Sequence, residues 1–272
     1  MTLPDLGGLK LKLQPAFKLA VALLGPHIGE DVQCKHVHRS NAASTMTRSR
    51  LCTAALVILV GLAITATQAR SRESASRVLV LSPKAATSAD ATHSALALTR
   101  KSFSNRISFV GRVQTVRQLR VGSPPNPWEC VWIVWNYQDE THFYYVALKP
   151  TGWEIGKRDP AYTGGQRFLA SGSRKFAVGT WHDFRIDQSD NRIIVHVNGV
   201  SIVSVADHER PYVVGRVGIY AEDSEVAIDD ITAPFEEDFE AYRLQANKKD
   251  GSVLGSWIMP FLGYGYAAIV DR

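Results

Sequence analysis

The chain has little cysteine: Cys34, Cys52 and Cys130 are the only three in 272 residues. It also lacks a charge of one dominant sign. Lys and Arg number 31 against 26 Asp and Glu, a formal charge of +5 spread along the sequence. No run forms a basic stripe, so nucleic-acid binding is not expected. After Ala69 there is no sustained helical period, no Gly-x-Ser-x-Gly turn, no phosphate loop and no Cys/His zinc spacing. His182-Asp183 and Asp207-His208 are adjacent pairs whose side chains point to opposite faces of a strand, so neither makes a catalytic dyad.

There is a single long apolar run, within "MTRSRLCTAALVILVGLAITATQA" from Met46 to Ala69. Arg48 and Arg50 precede an apolar core from Leu51 to about Ala66, and small residues follow at Thr67 and Ala69. That is the layout of a secretory signal peptide cleaved after Ala69. The alternative, a membrane anchor, asks for roughly 20 apolar residues and finds fewer. The expected organisation is a leader at 1–45 upstream of the natural start, a signal peptide at 46–69, and one secreted domain at 70–272. Cys34, His36 and His38 have metal-ligand proximity in "CKHVH", but on this reading they belong to the leader. Only Cys130 then remains in the mature chain, which excludes an internal disulfide and leaves stability to the core.

Beyond Arg77, short runs rich in Val, Ile, Phe, Tyr and Trp alternate with Gly, Pro, Asn and Asp clusters. "RISFVGRVQTV", "VWIVWNY", "HFYYVALK", "WHDFRID", "RIIVHV", "VSIVSV", "VGRVGIY" and "EVAIDDI" read as eight strands. Asn198-Gly199 between alternating segments predicts a tight type I′ hairpin. "DFEAYRLQANKK" is the one segment with room for a turn or two of helix. The fold class is all-β, an antiparallel β-sandwich.

The segment Gly179–Ile231 resembles the second half of a concanavalin A-like lectin/glucanase jelly roll. Its nearest branches are the laminin-G-like and 3-keto-disaccharide-hydrolase-like ones, of the family 16 glycoside hydrolase-like type. Trp181 opening a strand, the Asn198-Gly199 hairpin, Asp207, the "GRVGIY" strand and a last strand ending in Asp229-Asp230 carry the likeness. The resemblance implies a jelly roll and leaves activity open, because lectins, hydrolases, lyases and adhesion modules share it. It also implies that "EDFEAY", Trp257 and "GYGYAAIVDR" look like a first strand placed last. The tail 236–272 is therefore expected to dock onto the core at 77–232, as a circular permutation or as a truncated second copy.

Glucanases of this fold set Glu-x-Asp-x-Glu on one strand face, and the nearest stretch, "EDSEVAIDD", offers Glu225 and Asp229 with Ala227 between them. Hydrolysis of that kind is not expected. Asp223, Asp229, Asp230, Glu237 and Asp238 are candidate ligands for a structural Ca²⁺, if the last strand and the tail lie side by side. The other reading is that they solvate a strand end. The segment 119–168 is dense in Trp and Tyr interleaved with polar groups. The ligand candidates are Arg120, Glu129, Trp132, Asn136, His142, Tyr144, Lys149, Trp153, Lys157, Gln166 and Arg167. In "VWIVWNY", Val131, Ile133, Trp135 and Tyr137 are expected in the core, with Trp132 and Asn136 facing the other way. The expected function is that of a secreted, monomeric carbohydrate-binding protein for a polysaccharide or oligosaccharide, with no membrane contact after cleavage. An enzyme on polysaccharide or keto-sugar substrates (a hydrolase or a uronate lyase) and a non-enzymatic adhesion module stay open. Arg117, Gln118, Arg120, His142 and Tyr144 are the residues a lyase would use.

Overall fold

The computed structural model describes residues 76–272; the leader and the signal segment lie outside them. The described chain forms seventeen strands and one short 3-10 turn at Thr163–Gly165. In order they are β1 Arg77–Ser82, β2 Ser94–Thr99, β3 Phe103–Ser104, β4 Arg106–Gln118, β5 Val131–Asp139 and β6 His142–Lys149. Next come β7 Gly152–Arg158, β8 Gln166–Gly172, β9 Trp181–Ser189, β10 Arg192–Val197, β11 Val200–Ala206, β12 Val214–Glu222 and β13 Ser224–Ala233. The tail adds β14 Gln245–Asn247, β15 Ser252–Leu254, β16 Trp257–Phe261 and β17 Tyr266–Asp271.

Two antiparallel sheets result. The first runs β11-β10-β9-β4-β13-β1-β17-β14 and the second β15-β16-β2-β12-β5-β6-β7-β8, with β3 beside β12. Each strand alternates between an inward and an outward face. The inward rows, including Leu79, Phe109, Ile133, Trp135, Tyr144, Ile155, Phe184, Ile219 and Ile228, make one continuous core between the layers. All eight strand runs read from the sequence are present. The β10–β11 hairpin turns at Asn198-Gly199, both at positive φ (52° and 75°), as a type I′ turn requires.

The tail docks more extensively than a single strand. Without it, β1 and β2 would be the edges of the two sheets; β17 pairs with β1 and β16 with β2. The three-residue strands β14 and β15 then form the outer edges, and edges that short offer little to a pairing neighbour. Trp257 and Phe239 are fully buried, with ring centroids 5.9 Å apart. "DFEAYRLQANKK" holds no helix: a turn leads directly into β14.

Candidate functional site

The hairpins that join β5, β6, β7 and β8 set which side chains share the outer face of the second sheet. Trp132 stands opposite Ala147, Ala147 opposite Glu154, and Glu154 opposite Ser171. In the next row Val134 faces Tyr145, Tyr145 faces Gly156, and Gly156 faces Phe168. On the other flank Trp132 faces Tyr220, and Tyr220 faces Leu96. Trp132 therefore sits centrally, its ring stacked on Tyr145 at 4.6 Å and tilted against Tyr220 at 5.3 Å. Its indole N–H donates to the Trp128 carbonyl at 2.9 Å. These aromatics form a second apolar cluster, separate from the core, with Trp128, Ile258 and Phe261 packed on it.

Polar groups frame this cluster. Lys149 Nζ lies 2.5 Å from Glu154 Oε2, and Glu154 also shares a hydrogen bond with the Tyr145 hydroxyl. The Tyr145 hydroxyl accepts from Gln166 Nε2. Glu222 accepts from the Tyr220 hydroxyl at 3.0 Å and is also hydrogen-bonded by Trp128. Burial, helped by the charges of Asp223 and Glu129, pushes the Glu222 carboxyl up to about 8, so it is protonated at neutral pH. The Cys130 thiol stands among Glu154, Lys149, Glu222 and Glu129, and burial raises its pKa well above the usual range.

One end of this face is closed by an ion-pair clamp. Arg120 is buried and reaches Glu129 Oε1 at 2.5 Å, Asp223 Oδ2 at 2.8 Å and the Ser88 carbonyl at 2.6 Å. It thereby ties together the segments before β2, before β5 and between β12 and β13. Burial lifts Asp223 to about 6, against the opposing pull of the His93 amide and Arg120.

Of the sequence-derived ligand candidates, Trp132, Lys149 and Gln166 reach this face, and Glu129 lies behind it. Asn136 does not. A bulge in β5 puts it at φ 47°, and its side chain turns to Gln188 Oε1 (3.1 Å) and the Tyr212 carbonyl (2.8 Å), while Tyr137 swings to the outer cluster. Trp153 belongs to the core. Tyr144, Lys157 and Arg167 meet around buried Asp207: the Tyr144 hydroxyl is 2.6 Å, Lys157 Nζ 2.7 Å and Arg167 2.9 Å from its carboxylate. Burial works to raise Asp207, yet Lys157, the Tyr144 hydroxyl and the Glu209 amide outweigh it and hold the carboxyl below the ordinary range. Lys157 also donates to the Glu209 and Arg210 carbonyls. This network has its partners within the chain and anchors the 207–212 loop to the sandwich. His142 pairs with Asp139 at 2.9 Å beside the β5–β6 turn. Arg120 is held by Glu129 and Asp223 as above.

The five acids proposed as calcium ligands do not converge. Asp223 is at the head of β13, held by Arg120 and the His93 amide, whereas Asp229 lies about 20 Å further along by strand rise. Asp229 accepts from Ser76 and from the Asp230 amide, and Asp230 pairs with Arg112 at 3.1 Å. Asp230, Glu237 and Asp238 line a shallow pocket with Ile231, Thr232 and Glu236. Among the described residues no three His, Cys, Asp or Glu side chains are grouped to hold a metal ion.

Glu154, Tyr145, Tyr220, Glu222 and Phe168 were not among the sequence candidates. Once Trp132 is taken as outward, the register Trp132–Ala147 makes Tyr145 the outward tyrosine and Tyr144 the inward one. Residues 129–233 match the family model described as a 3-keto-alpha-glucoside-1,2-lyase-like domain. The fold is an all-β sandwich of two antiparallel sheets. The matched segment spans β5 to β13 and so contains the whole β5–β8 face and Glu222. Solved structures similar to this chain include the carbohydrate binding module CBM66 from Bacillus subtilis, at 10% identity and TM-score 0.42, over 51% of this chain and 80% of that one. A point variant of human galectin-16 is similar at 17% identity and TM-score 0.36, over 50% and 91%. Domains LG4-5 of the mouse laminin alpha1 chain are similar at 11% identity and TM-score 0.39, over 64% and 50%. No curated protein sequence matches the chain.

Proposed function

We propose that the protein is a secreted saccharide-binding protein whose ligand lies on the outer face of the second sheet, over β5 to β8. The observation that carries this reading is the composition of that face. An aromatic row through Tyr220, Trp132 and Tyr145, packed ring against ring and largely buried, is bordered by Glu154, Lys149 and Gln166. Sugars present apolar C–H faces to aromatic rings and hydroxyls to charged or amide groups, so such a face suits them. Secretion rests on the Met46–Ala69 segment. The 3-keto-alpha-glucoside-1,2-lyase-like match over this same face is consistent with a sugar ligand.

A second reading is favoured by the Glu222 carboxyl, which is buried beside Tyr220 and Trp128, with its pKa raised to about 8. In a 3-keto glucoside the ketone acidifies the C2 hydrogen. A base takes that proton, the C1–C2 double bond forms as the glycosidic C1–O bond breaks, and an acid in the position of Glu222 protonates the departing oxygen. Two-carboxylate hydrolysis fits less well. Glu222 on β12 and Glu154 on β7 stand three interstrand spacings apart, roughly 14 Å between backbones.

The test is a glycan array with the purified chain, run beside assays for reducing ends and for enone absorbance on 3-keto glucosides. Glycan binding without turnover supports the binding reading. Enone formation abolished by Glu222→Gln supports the second. Silence in all three removes both.

A further inference from the structure

We infer that Arg158, at the end of β7, is the specificity-determining residue of a subsite for acidic sugars. It pairs with the carboxylate or sulfate of a ring that lies against Phe168. This rests on the proposed saccharide-binding face and names the ligand class that face takes.

Arg158 follows Glu154 and Gly156 on the outer side of β7. Along that strand the Tyr145 phenol covers Gly156 and bonds Glu154, which Lys149 neutralises. The middle of the strand is thus satisfied within the chain, and its end is not. Arg158 Nε is a buried donor with no hydrogen-bond partner, and Nη1 reaches the Gly164 carbonyl only at 3.4 Å. Its neighbours across the strands carry no charge: Phe143 stands opposite on β6 and Gln166 on β8, and Gln166 Nε2 is turned to the Tyr145 hydroxyl. The loop beside the guanidinium presents backbone rather than side chains. A Cβ on Gly165 would stand 3.3 Å from Arg158 Nη2, and one on Gly164 would meet nothing within 4 Å. Phe168, two residues beyond Gln166 on the same face of the edge strand β8, is 50% exposed. It is the diagonal neighbour of Arg158, about 7–8 Å away between backbones, a gap that long side chains bridge.

Charge selects the ligand. The other cations at this end of the sheet are matched: Lys157 and Arg167 meet at Asp207, Arg167 also pairs with Glu209, and Arg210 pairs with Asp159. Those three cations face three carboxylates, which leaves the charge of Arg158 in excess. A sugar hydroxyl offers such a group a neutral hydrogen bond. Carboxylate and sulfate oxygens match the planar guanidinium fork, and a bond between two charged groups is roughly twice as strong as a neutral one. The apolar C–H side of the same ring packs on Phe168.

The experiment is isothermal titration of the full chain with digalacturonate and lactose 3′-sulfate on one side and cellobiose and lactose on the other. The variants are Arg158→Met, Arg158→Lys and Phe168→Ala, each checked for an unchanged melting temperature. The wild type is expected to bind an acidic sugar more tightly than either neutral one, and less tightly as salt is added. Arg158→Met should weaken the acidic sugar about tenfold or more and leave neutral-sugar binding unaltered, with a smaller loss in Arg158→Lys. Phe168→Ala should weaken both classes. Binding of digalacturonate assigns a carboxylate, and binding confined to the sulfated lactose assigns a sulfate; either supports the subsite. If Arg158→Met fails to fold, the wild-type preference and its salt dependence still decide. Neutral sugars bound as tightly as acidic ones, or an Arg158→Met loss shared equally by both classes, overturns the acidic subsite and spares the saccharide-binding face. Absence of binding to all of these sugars overturns the subsite alone if the glycan array is positive, and the proposed function with it if the array is silent.

Discussion

Lys157 Nζ and Asp207 Oδ2 lie 2.7 Å apart, and neither side chain reaches solvent. Around them Tyr144 and Arg167 complete the coordination of one carboxylate, joining the middle of the second sheet to the 207–212 loop. Removing the acid strands a buried ammonium. Asp207→Ala is expected to cost about 3–5 kcal/mol, read as a lower urea midpoint at unchanged slope. A cost below about 1 kcal/mol would show that the pair is not the anchor described.

The tail is integral to both sheets, so perturbing it should act on the whole domain. Trp257 is fully buried against Phe239 and Phe235, and β16 covers the free edge of β2. Trp257→Ala is expected to destabilise by about 3–5 kcal/mol, and deletion of 236–272 to abolish the near-UV circular dichroism of the fold. A deletion variant with the parent's melting temperature would contradict the docked arrangement.

Acid-side stability follows from three buried carboxyls. Glu222 sits at about 8, and Asp223 and Asp229 at about 6, each raised chiefly by burial from ordinary values of 4.5 and 3.8. In the window between, the folded chain holds protons that the unfolded chain has released, so stability falls as pH rises through about 6 and then 8. The melting temperature should be higher at pH 5 than at pH 8.5, and Glu222→Gln should flatten the part of the fall above pH 6. A melting temperature that rises over this range would refute the assignment.

Cys130 is buried on the outer cluster, its thiol pushed well above the usual pKa. A thiol held protonated and out of solvent is a poor nucleophile. Native protein treated with iodoacetamide should show no modification at Cys130 by peptide mass spectrometry, and full modification in denaturant. Rapid labelling of the native state would mean that the outer cluster opens.

Strand alternation made much of this architecture legible in advance. All eight strand runs and the Asn198-Gly199 turn follow from period-two patterning and turn chemistry, which are local properties. Trp132 was placed on the correct face by the same logic. Asn136 was not, because one extra residue in β5 relative to β12 reverses parity from that point, and nothing in "VWIVWNYQDE" marks it. Tyr144 and Lys157 looked like ligand contacts, since aromatics and cations close in sequence look alike whether they face a ligand or one another. What separated them is Asp207, 50 residues beyond Lys157 and unidentifiable as its partner from sequence. The acids of β13 and the tail looked like a metal site for the same reason. Proximity in sequence hid the fact that Asp223 precedes β13 while Asp229 lies midway along it. The tail was expected to supply one strand and supplies four, because β14 and β17 pair in the first sheet while the β15–β16 hairpin between them joins the second.

The central claim is that saccharide binds over β5 to β8, and hydrogen–deuterium exchange of the full chain with and without a bound oligosaccharide tests it most directly. The account predicts slowed exchange confined to 129–172 and the Tyr220–Glu222 segment. Protection confined instead to the first sheet, over 181–206 and 266–271, would contradict it.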